Sequence, residues 1–416
     1  MRLLHTSDWH LGARFHELDR AEDEQHALDQ IRALCVREQV DCLLIAGDVF
    51  DTASPGAAEV GRYFRFLHQV VAYGIGTVVV IAGNHDGAMR LDGPRDLLAH
   101  LRVHVVGAFT RDEDPARCLV ELRDRAGDVR AMCAAVPYLR DGDLWLPEAG
   151  EMPPPKRHAE ALVARYAQVH ALVPREMPLV VMGHCFANGG LTEAIASERP
   201  VQVGNLGKVG AELLGGNAAY LALGHLHRPQ PVAKREHWRY CGSLLPMSFA
   251  ETAQAREVVI ADVPAGGGPA NIRCIELAPY RQYRRLAGDV ETLMKVLEKL
   301  PRPALGMVQP WCELTVDLSG PRPGLTQELM EAAAAAGWVA VKIQKAGEVT
   351  TIAGVGAADV AGLEDLDPAE VFRRRHRALY DGSEPDTDLT AAFAGLLARA
   401  QAAPTDPSPR DATHAH

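Results

Sequence analysis

Short apolar runs alternate with amphipathic segments over roughly the first 260 residues of the chain. Asp23–Glu38 carries apolar residues at helical spacing, and the next run, Asp41–Ala46, is continuously apolar after its first residue. The same order recurs twice, with a helix and then a strand predicted at 57–73 and 77–82, and at 157–172 and 179–182. A helix followed by a buried strand, repeated along the chain, predicts a mixed α/β domain.

A second, smaller unit is predicted after residue 278. Turn residues at Ala265–Pro269 lie near the end of the first domain, and Pro279 with the basic run Arg281–Arg285 predicts a linker. Beyond it, helices are predicted at 290–300 and 325–336, and strands at 311–318 and 338–343. We therefore expect a large domain at 1–278 and a small α+β capping domain at 279–353.

Two short helices are predicted near the C-terminal end of the chain, within 354–402. Asp367–Glu370 combines an N-cap residue, a proline at the first helical position and an acidic residue in the first turn, a combination that begins helices. Leu389–Ala400 offers a second apolar face. Helices this short are marginal alone, and the pattern leaves open whether they pack on their own chain or dock to a partner protein. The polar segment 403–416 is expected to be disordered.

Composition narrows the class of protein. The chain has 416 residues, of which 47% are hydrophobic, so it can bury a large core. It has no stretch near the ~20 apolar residues of a membrane span, and we expect a cytoplasmic location. The formal net charge of −11 gives nucleic-acid binding no support by itself. Eight cysteines lie scattered without a C-x-x-C spacing, which predicts buried free thiols rather than a zinc knuckle or a redox pair.

Polar side chains that suit metal binding follow five apolar runs of the first domain. Each run ends near a carboxylate, an amide or an imidazole, and α/β sheets place their chemistry at such strand ends. One such motif alone would mean little, but so many buried polar groups need a common neutralising centre because isolated ones are costly. The seven candidate ligands are Asp8, His10, Asp48, Asn84, His184, His225 and His227.

The number and type of these side chains predict two metal ions rather than one. Seven donors exceed what one catalytic ion takes, and a bridging carboxylate lets two ions share them. Alternate side chains of an extended segment face the same way, so His225 and His227 can share one centre. Carboxylate, amide and imidazole donors without a thiolate suit manganese, iron or magnesium better than structural zinc.

The same segments resemble a known family. HTSDWHLG, AGDVFDT, AGNHD, MGHC and ALGHLHRP together resemble the five signature motifs of the calcineurin-like metallophosphoesterases. The flanking sequences GDVFDTASP and YCGSLLPMSF are similar to those of the SbcD group of bacterial nuclease subunits. The resemblance in motifs covers Met1 to Phe249. It implies an α/β fold in which a β-sandwich is flanked by helices, followed by a small α+β cap domain and C-terminal helices.

The resemblance also implies a role for each candidate residue. One ion would be held by Asp8, His10, Asp48 and His227, and the other by Asp48, Asn84, His184 and His225, with Asp48 as the bridge. His85 would donate a proton to the leaving 3′ oxygen, and Asp51 would orient His85. Manganese is the expected metal, with magnesium or iron as alternatives.

Two positions depart from related groups of the family. Thr52 stands where phosphoprotein phosphatases usually carry arginine, which counts against a phosphatase. Asp51 stands where archaeal and eukaryotic relatives carry histidine, and this departure bears on the proton path rather than on metal ligation. Asp86 could act in catalysis or could stabilise its own turn, and the sequence leaves both open.

The activity that the resemblance implies is that of a metal-dependent DNA nuclease subunit, a dimetal phosphodiesterase. It would be a 3′-to-5′ exonuclease on duplex ends and an endonuclease on single strands or hairpins, in DNA end processing, repair, recombination and replication. A homodimer built through helices of the first domain and an SbcC-type coiled-coil ATPase on the C-terminal helices are the implied partners. The alternatives are a small-molecule phosphoesterase or nucleotide pyrophosphatase on the same core, and a non-cutting scaffold. Missing ligands would mark a scaffold, and none is missing here.

Three further features each have two interpretations. Trp9 and Phe15 could stack on a base, but packing beside the metal loop is the expected outcome. Arg373–Arg377 could contact DNA phosphates, although charged residues opposite an apolar stripe usually form a solvated face. Histidines outside the set of polar residues at the strand ends, such as His5, are expected on the surface or satisfied within the core.

Overall fold

The computed structural model describes residues 1–110, 112–144, 154–188, 209–304, 308–318 and 322–346, together with residues 372, 373, 376, 377, 385, 386, 389, 390 and 393. Of these, the residues up to 346 form one compact unit, and those from 372 onward belong to a second unit. No helix within the described ranges is long and apolar enough to cross a membrane.

Seventeen strands and eight helices build the described part of the chain. The strands are β1 (Arg2–Thr6), β2 (Cys42–Ala46), β3 (Thr77–Ile81), β4 (Val103–Val106), β5 (Leu119–Arg123), β6 (Val129–Ala135), β7 (Leu179–His184), β8 (Ala187–Asn188), β9 (Val209–Gly210), β10 (Tyr220–Gly224), β11 (Gln230–Val232), β12 (Arg235–Tyr240), β13 (Glu257–Asp262), β14 (Asn271–Glu276), β15 (Tyr283–Asp289), β16 (Trp311–Asp317) and β17 (Val339–Lys345). The helices are α1 (Ala21–Arg37), α2 (Ala57–Ala72), α3 (Ala88–Asp92), α4 (Arg95–Ala99), α5 (Pro154–His170), α6 (Ala211–Gly215), α7 (Val290–Glu298) and α8 (Leu325–Ala335).

Two six-stranded sheets form a sandwich. The first sheet has the strand order β14-β13-β1-β2-β3-β4, and the second has the order β11-β12-β10-β7-β6-β5. Strands β1 to β4 pair in parallel, as do β6, β7, β10 and β12. Helices connect the parallel strands of the first sheet, which is the arrangement that the alternation of helices and strands predicted.

The central strands of the first sheet are buried on both faces. Leu3 and Leu44 point into the core between the two six-stranded sheets. Their neighbours Leu4 and Leu43 point the opposite way, into the core under helices α1 and α2. Strands covered on both faces are continuously apolar for this reason. The predicted β-sandwich with flanking helices is confirmed.

Helices α1 and α2 cover the outer face of the first sheet. Leu28 and Ile31 of α1 and Phe66 and Val70 of α2 are buried, three or four residues apart on one side of each helix. The observed helices differ from the predicted ones only by one or two residues at their ends. The apolar spacing therefore located both helices correctly.

The remaining three-stranded sheet, β15-β16-β17, is parallel, and α7 and α8 connect its strands. Leu293 and Leu297 of α7 and Leu329 of α8 share a separate core with Leu314 and Trp338. The predicted helices and strands of this region are all present. The division of the chain at residue 279 stays a prediction, since the described residues up to 346 form one compact unit.

The prediction of a linker at Arg281–Arg285 is wrong. Strand β15 begins at Tyr283 and pairs with β16 from Trp311 onward. Arg281 is buried, and its guanidinium contacts the carboxylate of Asp23 on α1 through two hydrogen bonds of 3.0 and 2.7 Å. The same guanidinium lies 4.0 Å from the ring centre of Trp311. The sequence shows no sign of this contact because Asp23 and Arg281 are more than 250 residues apart along the chain.

Trp9 and Phe15 pack inside the protein. The Trp9 ring is 1% exposed and meets Phe66 edge-on at 5.1 Å between ring centres. Phe15 is fully buried and contacts Phe249 and Trp311, so it joins the sandwich to the three-stranded sheet. Packing rather than base stacking is confirmed for both residues.

His5 and most of the cysteines are buried. His5 lies in the core, where its Nδ1 is 2.8 Å from the Tyr220 hydroxyl and burial lowers its pKa to about 3. All eight cysteines are free thiols, and Cys274 is the one that is exposed rather than buried or partly buried. The sequence prediction of free thiols is confirmed.

The structure describes only a few residues of the two predicted C-terminal helices. Phe372 and Phe393 are helical, and their rings stack 4.3 Å apart within the second unit. The predicted helix start at Asp367–Glu370 lies outside the described residues, as do Arg374, Arg375 and the tail 403–416. The order of this tail and the packing of most of both helices stay predictions.

Replacing Arg281 with alanine is expected to destabilise the protein by about 3–5 kcal/mol, because the buried Asp23 carboxylate would lose its cation. Urea unfolding followed by circular dichroism measures the difference from the parent. Arg284→Ala, at an exposed position of strand β15 three residues further on, is the control and should change stability by less than about 0.5 kcal/mol. A loss below about 1 kcal/mol for Arg281→Ala would contradict the importance of this pair.

Candidate metal centre

The carboxyl ends of five strands meet at one edge of the sandwich. Strands β1, β2 and β3 of the first sheet lead to Asp8, Asp48 and Asn84. Strands β7 and β10 of the second sheet end at His184 and just before His225. The candidate site therefore depends on both sheets, and neither sheet could form it alone.

Hydrogen bonds hold these loops against one another. The amide of Asp8 donates to the Gly47 carbonyl at 2.9 Å, and the amide of His10 donates to the Asp48 carbonyl at 3.0 Å. The amide of His225 donates to the Asp8 carboxylate at 2.9 Å, which links the two sheets directly. The loops are thus fixed by main-chain contacts before any ligand is considered.

Gly47 and Gly224 permit the close approach of the strand ends. Gly47 has a φ of +88°, and a Cβ atom there would lie 2.3 Å from His184 Nδ1. A Cβ atom at Gly224 would lie 1.9 Å from the Ala46 carbonyl oxygen. Any side chain at either position would force the two sheets apart, so the glycine in these motifs has a steric reason.

The candidate ligands include residues with a strained backbone. Four of them have a positive φ in the range that L-residues rarely adopt: Asp8 (49°), His10 (45°), Asp48 (49°) and His225 (102°). Strained residues persist only where the surrounding structure holds them, and they cluster at functional sites.

Asp8, His10 and His227 form one group of candidate ligands. One ligand atom from each lies within 4.8 Å of the others, and all three residues are buried. The ring centres of His10 and His227 are 5.1 Å apart. The hydroxyl of Ser7 donates a hydrogen bond to Asp8 Oδ2 and so orients this carboxylate.

Asp48, His184 and His225 form a second group with the same 4.8 Å spacing of ligand atoms. Asn84 Oδ1 belongs to it, because it lies 3.1 Å from His184 Nε2 and 2.9 Å from His225 Nδ1. His184 Nδ1–H donates to the Ala46 carbonyl at 2.9 Å. That hydrogen bond turns the Nε2 atom of His184 towards the other candidates, as ordered ligand histidines require.

Asp48 lies between the two groups. Its Oδ2 atom is 3.7 Å from His10 Nε2 and 3.2 Å from His184 Nε2. Burial alone would raise the pKa of Asp48, but the neighbouring histidines, His184 above all, lower it well below the usual range. Burial alone would likewise lower the pKa of His184, and Asp48 raises it to about 9. The Asp48 carboxylate is therefore a buried anion, and it favours the protonated forms of the histidines on either side, His10 and His184.

His85 and Asp51 lie beside the first group, where they form a third cluster with His10. His85 Nδ1–H donates to the backbone carbonyl of Asp51 at 2.8 Å. The Asp51 carboxylate instead lies 3.4 Å from His10 Nδ1. Asp51 therefore contacts His85 through its backbone carbonyl, whereas the resemblance implied that the side chain of this acid orients His85.

Asp86 holds the loops together. Its carboxylate is fully buried and accepts hydrogen bonds from the amides of Gly83, Val49 and Phe50 at 2.8, 3.1 and 2.9 Å. Burial, together with the nearby Asp48 charge, raises the pKa of Asp86 to about 6. With three backbone donors on this carboxylate, the structure favours the turn-stabilising interpretation over a catalytic one.

The side chains fit a dimetal centre. The Nε2 atom of His10, which faces Asp48, is buried without a hydrogen-bond partner among the described residues. Buried polar atoms in this state are rare because they are costly, and metal coordination would satisfy nitrogens at this place. All seven predicted ligands are brought together here, while their division between two ions stays a prediction.

The sequence analysis missed two supporting side chains. Ser7 orients Asp8, and its only signal was its place directly before the ligand in the first motif. Glu251 has its Oε1 atom 3.7 Å from His227 Nδ1 although it follows no strand end of the predicted set. Neither residue could be assigned without knowledge of what faces it.

Two family models match the chain. The model described as calcineurin-like phosphoesterase matches residues 1–229, which contain every candidate ligand. The model described as type 5 capsule protein repressor C-terminal domain matches residues 279–379. The first match covers more than half of the chain and agrees with the observed sandwich.

Curated relatives match most of the chain. A protein of Rhodobacter capsulatus, named as the D subunit of the nuclease SbcCD, is 35% identical over 313 residues, which is 73% of this chain and 76% of the relative. Proteins of the same name are 33% identical in Escherichia coli K12, over 72% of this chain and 74% of the relative, and in Bacillus subtilis, over 64% and 67%. The solved structure of TT1561 of Thermus thermophilus covers 67% of this chain and 99% of its own at 14% identity, but its TM-score of 0.36 adds no argument. On the family model and these relatives, the chain belongs to the calcineurin-like phosphoesterases and, among them, to the group of SbcCD nuclease D subunits.

Proposed function

We propose that the protein is a metal-dependent DNA nuclease subunit. It would be a dimetal phosphodiesterase, a 3′-to-5′ exonuclease on duplex DNA and an endonuclease on single strands and hairpins, in DNA end processing, repair and recombination. The observation that supports this most is the position of Asp48, whose Oδ2 lies within 3.7 Å of histidines from both ligand groups. The nuclease name of the relatives supplies the substrate class.

The two ions would be held as the motifs imply, one by Asp8, His10, Asp48 and His227 and the other by Asp48, Asn84, His184 and His225. When bound, such a pair supplies an activated water and neutralises phosphate charge during in-line attack. We propose manganese as the metal, with magnesium or iron as substitutes, because the donors are oxygen and imidazole nitrogen without a thiolate.

His85 would supply the proton for the leaving 3′ oxygen. Its ring centre lies 4.8 Å from that of His10, at the side of the first ligand group. The Asp51 carbonyl accepts from His85 Nδ1–H, which fixes the tautomer and leaves Nε2 as the atom that exchanges a proton with substrate. Asp51 would therefore act on His85 as a positioning residue through its main chain.

A small-molecule phosphoesterase or nucleotide pyrophosphatase on the same core is the alternative activity. Thr52 takes the place of the arginine of phosphoprotein phosphatases and is exposed, so no cation extends from this position towards a phosphate monoester. The nuclease proposal is favoured on this ground as well as by the relatives.

We further propose that the protein acts in the cytoplasm in an assembly with two kinds of partner. An SbcC-type coiled-coil ATPase would bind the C-terminal helices, since the relatives are named as subunits of a complex. A second copy of the chain would pack on helices of the first domain. Met89 of α3 and Leu97 of α4 support this, because they are 84% and 70% exposed and offer apolar surface to a neighbour.

His85→Gln is expected to lower DNA cleavage by about 10²–10⁴-fold, because the general acid is lost. The variant should still hold about two ions per chain, since His85 is outside the proposed ligand set. Hairpin cleavage and the metal content of dialysed protein test both points. Asp48→Asn is the contrasting variant and should lose cleavage and metal together. Parental cleavage by His85→Gln would contradict its role as the acid while leaving the nuclease proposal intact.

Substrate preference separates the two activities. With manganese, the parent protein is expected to shorten a blunt duplex from its 3′ end and to open a DNA hairpin, because phosphodiester attack needs no terminal phosphate. End-labelled DNA resolved on denaturing gels reports both events, and p-nitrophenyl phosphate is the small-ester comparison. Rapid turnover of the small ester with both DNA substrates left intact would favour the alternative.

The molar mass of the protein in solution tests both proposed contacts, with a second copy of the chain and with the ATPase. Light scattering of the purified chain should give twice the chain mass of 45.0 kDa, and addition of the cognate coiled-coil ATPase should give a larger complex. Leu97→Asp should yield a monomer, whereas Leu389→Asp, at a residue 41% exposed, should abolish only ATPase binding. Thr390→Asp, at the adjacent exposed position, is the matched control. A monomeric parent, or ATPase binding unchanged in Leu389→Asp, would contradict the respective contact.

A further inference from the structure

His227 differs from His184 and His85 in what faces its Nδ1 atom. The Nδ1–H groups of His184 and His85 donate to the backbone carbonyls of Ala46 and Asp51. His227 Nδ1 has no hydrogen-bond partner among the described residues and faces Glu251 Oε1 at 3.7 Å. A carboxylate thus stands where the other two histidines have a carbonyl.

Glu251 is fully buried, at 0% exposure, in the short turn Phe249–Glu251. Its Oε2 atom accepts a hydrogen bond from the Met247 amide at 3.1 Å and lies 3.3 Å from Arg256 Nη2. The second carboxylate oxygen, Oε1, is the one directed at His227. The two oxygens therefore have separate environments, one facing donors of its own loop and one facing the imidazole.

The guanidinium of Arg256 donates hydrogen bonds to the main chain of both His227 and Glu251. Its Nη1 donates to the His227 carbonyl at 3.0 Å and to Ser243 Oγ at 2.9 Å, and its Nη2 donates to the Glu251 carbonyl at 2.7 Å. The arginine thus holds both the main chain of His227 and the residue that faces its ring. A buried ion pair is costly to form. The Glu251–Arg256 pair forms hydrogen bonds around His227, the proposed metal ligand.

We propose that Glu251, held by Arg256, is the positioning residue of His227. Its Oε1, now 3.7 Å from Nδ1, would move to hydrogen-bond distance and accept a hydrogen bond from Nδ1–H when the ion binds. That bond would fix the tautomer and leave Nε2 as the atom that binds the ion held by Asp8 and His10. Carboxylate partners of this kind orient ligand histidines and raise their basicity. The inference rests on the metal site of the proposed function but not on DNA cleavage, since metal binding alone reveals it.

Glu251→Gln gives the sharpest test because it keeps the shape of the side chain. Arg256 and the Met247 amide both require an acceptor, so the amide oxygen of glutamine must take the place of Oε2. The amide NH₂ group then faces His227 and donates to Nδ1, which leaves the proton on Nε2 and blocks this nitrogen as a ligand. We expect the affinity for one of two Mn²⁺ ions to fall about 10–100-fold, with the other ion unaffected.

Titration calorimetry of the metal-free full chain with Mn²⁺ measures both affinities. In Glu251→Gln, the electron paramagnetic resonance signal of a coupled manganese pair should appear only at a higher metal concentration than in the parent. Glu257→Gln is the matched control, because Glu257 is largely buried and pairs with Arg239 at 3.0 Å away from the ligands. It should leave both affinities unchanged. Melting of each metal-free variant separates weak binding from poor folding.

Parental affinity for both ions in Glu251→Gln would overturn the proposal, whether or not the protein cuts DNA. If Glu251→Gln melts far below the parent, Glu251→Asp provides the second test, since it keeps the charge and shortens the reach to His227. Weakened binding of one ion in a folded Glu251→Asp supports the proposal, and parental binding of both overturns it. A chain that binds two ions normally but fails to cut DNA would instead contradict the proposed function alone.

Discussion

The structure depends on one buried anion, the carboxylate of Asp48, and on the need to neutralise it. Asp48 is 2% exposed and lies where the first sheet meets the second, with His10 on one side and His184 on the other. A buried charge without partners is costly, so the sandwich is stable in this form only if both sheets deliver their polar ends to the same place. Formation of the fold and formation of the candidate site therefore depend on each other.

The strain at the site follows from that constraint. Four ligand residues adopt a positive φ, and Gly224 approaches the Ala46 carbonyl more closely than any side chain would allow. Such backbone is tolerated because strands buried on both faces leave the loops little freedom, and because the Asp86 carboxylate, in the loop after β3, accepts from the amides of Val49 and Phe50 in the loop after β2. The apolar core thus stabilises a geometry that the loops would not adopt alone.

Much of the fold, and the meeting of all seven candidate ligands at one edge of the sandwich, could be predicted from the sequence because the signals are local. An apolar run that ends in Gly-Asp or Gly-His is visible within ten residues. Asp23, the partner of Arg281, and His227, which Glu251 faces, lie in other segments, so no local pattern distinguishes Arg281 and Glu251 from ordinary surface charges. The linker prediction at Arg281–Arg285 is wrong for this reason, since the ion pair with Asp23 forms only when the chain has folded.

The three-residue turn Phe249–Glu251 contacts two regions that the sequence treats as separate. Phe249 packs against Phe15 and Trp311, which joins the sandwich to the three-stranded sheet. Glu251, two residues later, faces His227. Because residues that share a short turn do not respond independently, a substitution that loosens the aromatic contacts also changes the position of the carboxylate that faces His227, a candidate ligand. The packing of the small sheet and the orientation of His227 are therefore coupled through this turn, and the effects of substitutions at the two places are not expected to add.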